Sequence, residues 1–254
     1  MLTELGGKGG RVCQPALDGT LRCPLIIRPT SEDVVTGNLF GALRAINPRW
    51  WLPQFLNHGL GAERFRTQVF RNLRIELWQR QPMMPRHLVP WEEGQTEVDV
   101  VITWGNPATM VFLEMKFRSD LSATTSHHSG VNGFPADQLI RNCRIGLWRS
   151  GWYQESRLFP TLRRDFSLLL VNATGSHQLV DRYRDPLNMR QAIPKSHLLP
   201  MLPRLPLVGC LGYGGIVMLL RQNRRWMSRP EQLLVDQITE YLEFKLGQLN
   251  SPPS

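Results

Sequence analysis

Residues 97–117 read EVDVVITWGNPATMVFLEMKF. Two runs of β-forming residues flank a polar turn at Gly105-Asn106-Pro107-Ala108, the pattern of an antiparallel hairpin. Pairing Trp104 with Thr109 places Ile102 opposite Val111, Asp99 opposite Glu114 and Glu97 opposite Lys116. Side chains alternate between faces along a strand. Val98, Val100 and Ile102 therefore share an apolar face with Val111, Leu113 and Met115, and Glu97, Asp99, Glu114 and Lys116 crowd the other. Like charges directly across a ladder destabilise it, so Asp99 and Glu114 call for a cation between them.

Upstream, Thr30-Ser31-Glu32-Asp33 forms a helix start, with a hydroxyl N-cap and acidic residues in the first turn. Val34, Val35, Leu39, Phe40, Leu43 and Ile46 then recur at helical spacing as far as Asn47-Pro48. Gly37 and Gly41 lower the propensity of this helix and point to close packing on a sheet. The aromatic stretch from Trp50 to Leu60 is expected beneath the core, and Arg71–Gln79 reads as a strand.

Downstream, 118–134 is a polar connection containing Ser119, His127, His128 and Gly130. Pro135-Ala136-Asp137 opens a helix that turns Leu139, Ile140, Cys143 and Leu147 inward and leaves Gln138, Arg141 and Arg144 on its polar side. The continuous apolar run Phe166–Val171 fits a strand buried on both faces. Residues 185–206 read as irregular and Leu207–Tyr213 as a further strand. Ser228-Arg229-Pro230-Glu231 is a capping box that starts a helix through about Leu249. This organisation predicts a lead-in over 1–30 and one domain over 31–254.

The formal charge of +9 and pI near 10 favour a polyanionic partner. Lysine occurs only at 8, 116, 195 and 245, and arginine supplies the remaining positive charge. Arginine suits bidentate phosphate contacts, and base composition of the coding sequence would explain the same bias. Cysteines 13, 23, 143 and 210 lack metal-site spacing and read as reduced thiols. The apolar run Leu205–Leu220 is too short and glycine-rich for a membrane span, the first residues lack a signal-peptide core, and a cytoplasmic protein is expected. Gly212–Gly215 is no Walker loop, because no Lys-Ser/Thr follows it.

Asp99, the hairpin, Glu114-Met115-Lys116, the upstream helix with Glu32 and the downstream helix with Gln138 occur in the order that resembles the PD-(D/E)XK nuclease superfamily. The resemblance covers roughly residues 30–175 and departs where Val98 stands in place of the eponymous proline. It implies an α/β fold: a central mixed β-sheet flanked by helices, with a restriction-endonuclease-like core. It implies a Mg²⁺-dependent deoxyribonuclease, with Mn²⁺ as an alternative ion. Metal ligands would be Asp99, Glu114, the Met115 carbonyl and Glu32, with Lys116 as the catalytic cation and Gln138 in support. Arg118, Arg141, Arg144 and His128 are the candidate contacts to DNA. Loops such as 118–134, a homodimer or a larger defence complex would supply recognition, and a catalytically inactive nucleic-acid-binding module is the alternative. Plainer roles stand beside these: Glu97 as a cross-strand ion-pair partner, Glu32 as a helix-dipole partner, and Asp99, Glu114 and Lys116 as an exposed charged face.

Overall fold

A computed structural model describes residues 32–91, 94–117, 119–121, 133–154 and 163–249, with short backbone pieces at 14–15 and 21–22. In chain order the elements are β1 (Gln14–Pro15), β2 (Leu21–Arg22), α1 (Glu32–Arg44), α2 (Leu52–Leu60), β3 (Arg71–Gln81), β4 (Thr96–Gly105), β5 (Thr109–Met115), α3 (Gln138–Arg149), β6 (Asp165–Asn172), α4 (Gln178–Arg184), α5 (Pro186–Gln191), β7 (Val208–Gly212), α6 (Tyr213–Asn223) and α7 (Arg229–Leu249). β1 and β2 pair with each other, and the lead-in expected over 1–30 otherwise lies outside the described residues.

β3 to β7 form one five-stranded sheet in sequence order, antiparallel across β3-β4-β5 and parallel across β5-β6-β7. This is the mixed, helix-flanked α/β sheet expected from the sequence. One face carries α1, α2, α6 and α7 over a core that includes Val100, Ile102, Val111, Leu113, Leu169 and Val171. The other carries α3, α4 and α5 over Val101, Phe112, Phe166, Leu168 and Leu170. Burial on both faces explains why β5 and β6 are apolar runs rather than alternating ones.

Two glycines let helices seat closely on the sheet. A Cβ on Gly146 of α3 would lie 1.9 Å from Cζ of Phe166, and one on Gly209 of β7 would lie 2.1 Å from the Gly59 carbonyl oxygen of α2. Gly41, by contrast, is exposed with open space beside it, so it is not the packing glycine its sequence context implied. Glu231 accepts from the N–H and hydroxyl of Ser228 at 2.8 and 2.7 Å, completing the expected start of α7, and from Asn47 N at 2.7 Å. That last bond ties α7 to the turn after α1.

One helix went unread in the sequence, and one stretch differs from expectation. The glycine-bearing run after β7 forms α6, because burial of Ile216, Val217, Leu219 and Leu220 outweighs poor helix propensity. Within 185–206, Asp185 caps α5 by accepting from Leu187 N at 2.9 Å, and Pro186 occupies its first turn.

Candidate active site

The hairpin register runs from Trp104↔Thr109 to Val100↔Leu113, as the sequence predicts. Beyond Val100 the pairing changes. Asp99 does not face Glu114 through a regular ladder; its carboxylate accepts from Met115 N at 2.7 Å and sits between the two strands. Val98 packs on the opposite side of the sheet from Val100 and Ile102, so the three do not share one face. Across from Asp99 in β3, Trp78 has φ +52°, a backbone state bulky residues rarely adopt. Glu97 does not meet Lys116 either. It pairs with Arg80 across β3, at 3.8 Å between Nε and Oε2.

Glu114 is the centre of the site. It is 1% exposed. Its Oε1 accepts from Lys116 Nζ at 2.9 Å and from Gln138 Nε2 at 2.5 Å, and its Oε2 accepts from Asn142 Nδ2 at 2.8 Å. Lys116 Nζ also lies 3.4 Å from Glu32 Oε2, and the Ser119 hydroxyl donates to Glu32 Oε1. The first turn of α1 and the first turns of α3 thus reach the C-terminal end of β5 from opposite faces of the sheet. In open α/β sheets this end of the parallel strands is where ligands bind.

Electrostatics follow from that enclosure. Burial first, then the neighbouring charge of Asp99, raise the Glu114 carboxyl to about 8 against the lowering effects of Lys116 and Asn142. Burial likewise raises Asp99 to about 6, against the lowering effect of its bond from Met115 N. Burial works against the charge on Lys116, but Glu114, Glu32 and Asp99 outweigh it and raise the ammonium above its usual range. The result is a fixed cation beside two carboxyl groups that resist ionising together.

The structure brings together Asp99, Glu114, Lys116, Glu32 and Gln138. Met115 is wholly buried, and its N–H is taken by Asp99. Among the described residues, no three His, Cys, Asp or Glu side chains converge at metal-binding spacing. Lys116 bridges the separation between Glu32 and Glu114. Mg²⁺ takes one or two protein carboxylates and keeps water or phosphate oxygens in its remaining positions, so a pair such as Asp99 and Glu114 would suffice in number.

Arg144 corrects the sequence reading. It is fully buried, its Nη2 donates to the carbonyls of Pro135 and Ala192 at 2.7 Å each, and its guanidinium lies 5.2 Å from the Trp91 ring centroid. It braces the interior and is not a DNA contact. Arg141 lies one turn from Gln138, but its Nη2 faces the carbonyls of Gly94 and Gln95 at 2.8 and 3.3 Å, fastening the entry to β4. Arg118, His127 and His128 lie outside the described residues. Cys143 and Cys210 are free and buried.

Sequence reasoning missed Asn142, although its spacing of four from Gln138 places it on the same helix face. It also missed Lys245, a buried lysine 5.9 Å from the Phe117 ring centroid and 5.6 Å from that of Tyr241. No helix among the described residues is long and apolar enough to cross a membrane. No family model matches the chain, and neither a curated protein nor a solved structure matches it.

Proposed function

We propose that this protein is a divalent-metal-dependent nuclease that hydrolyses DNA phosphodiester bonds on a restriction-endonuclease-like core. One observation carries the reading. Glu114 is buried beside Asp99, so each carboxyl resists ionisation, while Lys116 is held within 2.9 Å of Glu114. Strongly perturbed groups clustered at a strand end are a functional-site candidate with a physical rationale.

Asp99 and Glu114 would hold Mg²⁺, or Mn²⁺ in its place, which when bound supplies charge neutralisation and an acidified water. Gln138 and Asn142 fix the Glu114 carboxylate from α3. Glu32 and Glu114 hold the Lys116 ammonium, which serves as a fixed positive charge toward a water or a phosphate oxygen. The surplus of arginine recruits the polyanion. The activity fits host defence or mobile-element processing in the cytoplasm, where a homodimer or larger defence complex would select the target.

A second reading has an observation of its own. Glu114, Lys116 and Glu32 already satisfy one another, as they would in an inactive nucleic-acid-binding module. Incubation of linear, supercoiled and single-stranded DNA with Mg²⁺ or Mn²⁺ separates the two. Cleavage is expected, with loss of at least about a hundredfold in Lys116→Ala and a comparable or larger loss in Asp99→Ala. DNA binding without cleavage under all these conditions would favour the inactive module. Cleavage unchanged in both variants would refute the site assignment.

A further inference from the structure

Tyr213 begins α6 directly after β7, and its side chain is wholly buried. Its ring packs edge-on against Phe117, the neighbour of Lys116, with centroids 5.7 Å apart. The hydroxyl is enclosed and has no hydrogen-bond partner among the described residues. A buried phenol normally finds a partner, and leaving one unmade forfeits the hydration the hydroxyl had in water. Phenylalanine would fill the same ring volume without that cost.

Burial first, then the charges of Glu32 and Asp99, hold the phenol well above its ordinary range. The group therefore stays protonated, a donor within electrostatic reach of both carboxylates. β5, β6 and β7 run parallel, so α6 starts at the same end of the sheet as Glu114 and Lys116. This end of the sheet thus has two acceptors, Glu32 and Asp99, and one donor without an acceptor among the described residues.

We propose that the Tyr213 hydroxyl is a positioning donor for the oxygen of a water that enters with the divalent cation and lies between Glu32 and Asp99. This rests on the metal-dependent reading above. It also gives Glu32 a route to the ion through that water, since Lys116 occupies its direct approach to Glu114.

The test is Mn²⁺ titration calorimetry without DNA on the full chain, its Tyr213→Phe variant and its Asp99→Asn variant, together with metal-free melting and cleavage kinetics. Tyr213→Phe is expected to melt at the same temperature as the parent or higher without metal. It is expected to bind Mn²⁺ about tenfold more weakly, and to lose kcat while KM for DNA is unchanged. Unchanged Mn²⁺ affinity and kcat would overturn the proposal. So would a lower metal-free melting temperature, because the hydroxyl would then have a partner inside the protein. Loss of binding in Asp99→Asn alone rejects Tyr213 and keeps the metal site. Parental binding in Asp99→Asn rejects the metal site and the Tyr213 role with it.

Discussion

At Glu114, a carboxyl 1% exposed meets the charge of Asp99 on one side and Lys116, Gln138 and Asn142 on the other. Its folded-state value of about 8 lies above its ordinary 4.5. Between these values the folded protein keeps a proton that the unfolded chain has released, so stability falls as pH rises through that window. Asp99 adds the same sign between 3.8 and about 6. The metal-free melting temperature is therefore expected to decline from pH 5 to pH 8, and Glu114→Gln should remove most of that decline. Mg²⁺ should raise the melting temperature more at pH 8 than at pH 5, because binding must displace the proton. A flat profile shared by both proteins would contradict the electrostatic account. The grouping of Glu114 with Lys116 was legible in the sequence from strand phase, and that of Gln138 from the residue order behind the resemblance. Tyr213 was not, since its significance depends on α6 beginning beside two carboxylates that lie more than a hundred residues upstream.

At the scale of the element, α3 decides whether the site is assembled. Gly146 lets it settle onto Phe166, and its first turns then present Gln138 and Asn142 to Glu114. Gly146→Ala is expected to cost about 1–3 kcal/mol from overpacking, measured by chemical denaturation, and to lower cleavage through displaced Gln138 and Asn142. Full stability and activity in this variant would refute the tight seating. Arg144, on the same helix, should behave as a structural residue. Arg144→Ala leaves two carbonyls without their donor, at a cost of order 1–3 kcal/mol. The salt dependence of DNA binding should be unchanged, since only residues that reach phosphates release counterions. A shallower salt slope would restore Arg144 to the DNA interface. Helical periodicity placed Arg144 on the polar side because it registers charge; it cannot register that a long arginine stem will cross the interior to reach the carbonyls of Pro135 and Ala192. The start of α3 was legible, since Asp137 caps it by accepting from Ile140 N at 2.9 Å.

For the whole molecule, the hairpin register and the buried parallel strand were legible because apolar alternation and apolar runs report burial directly. The opening of the ladder at Asp99 and the helical fate of the run after β7 were not, because tertiary contacts outweigh local preference there. The two helical layers bring Glu32 and Gln138 to the same strand end, and under the proposed function exposed Arg71, Arg74 and Arg80 along the edge strand β3 would meet a polyanion. The central claim is that Asp99 and Glu114 together form a cation site. Calorimetric titration of Mg²⁺ and Mn²⁺ at pH 7, in buffers of differing ionisation enthalpy, tests it most directly. The expected result is saturable binding with net proton release, lost in Glu114→Gln. Binding that is absent, or unchanged in that variant with no proton released, would contradict it.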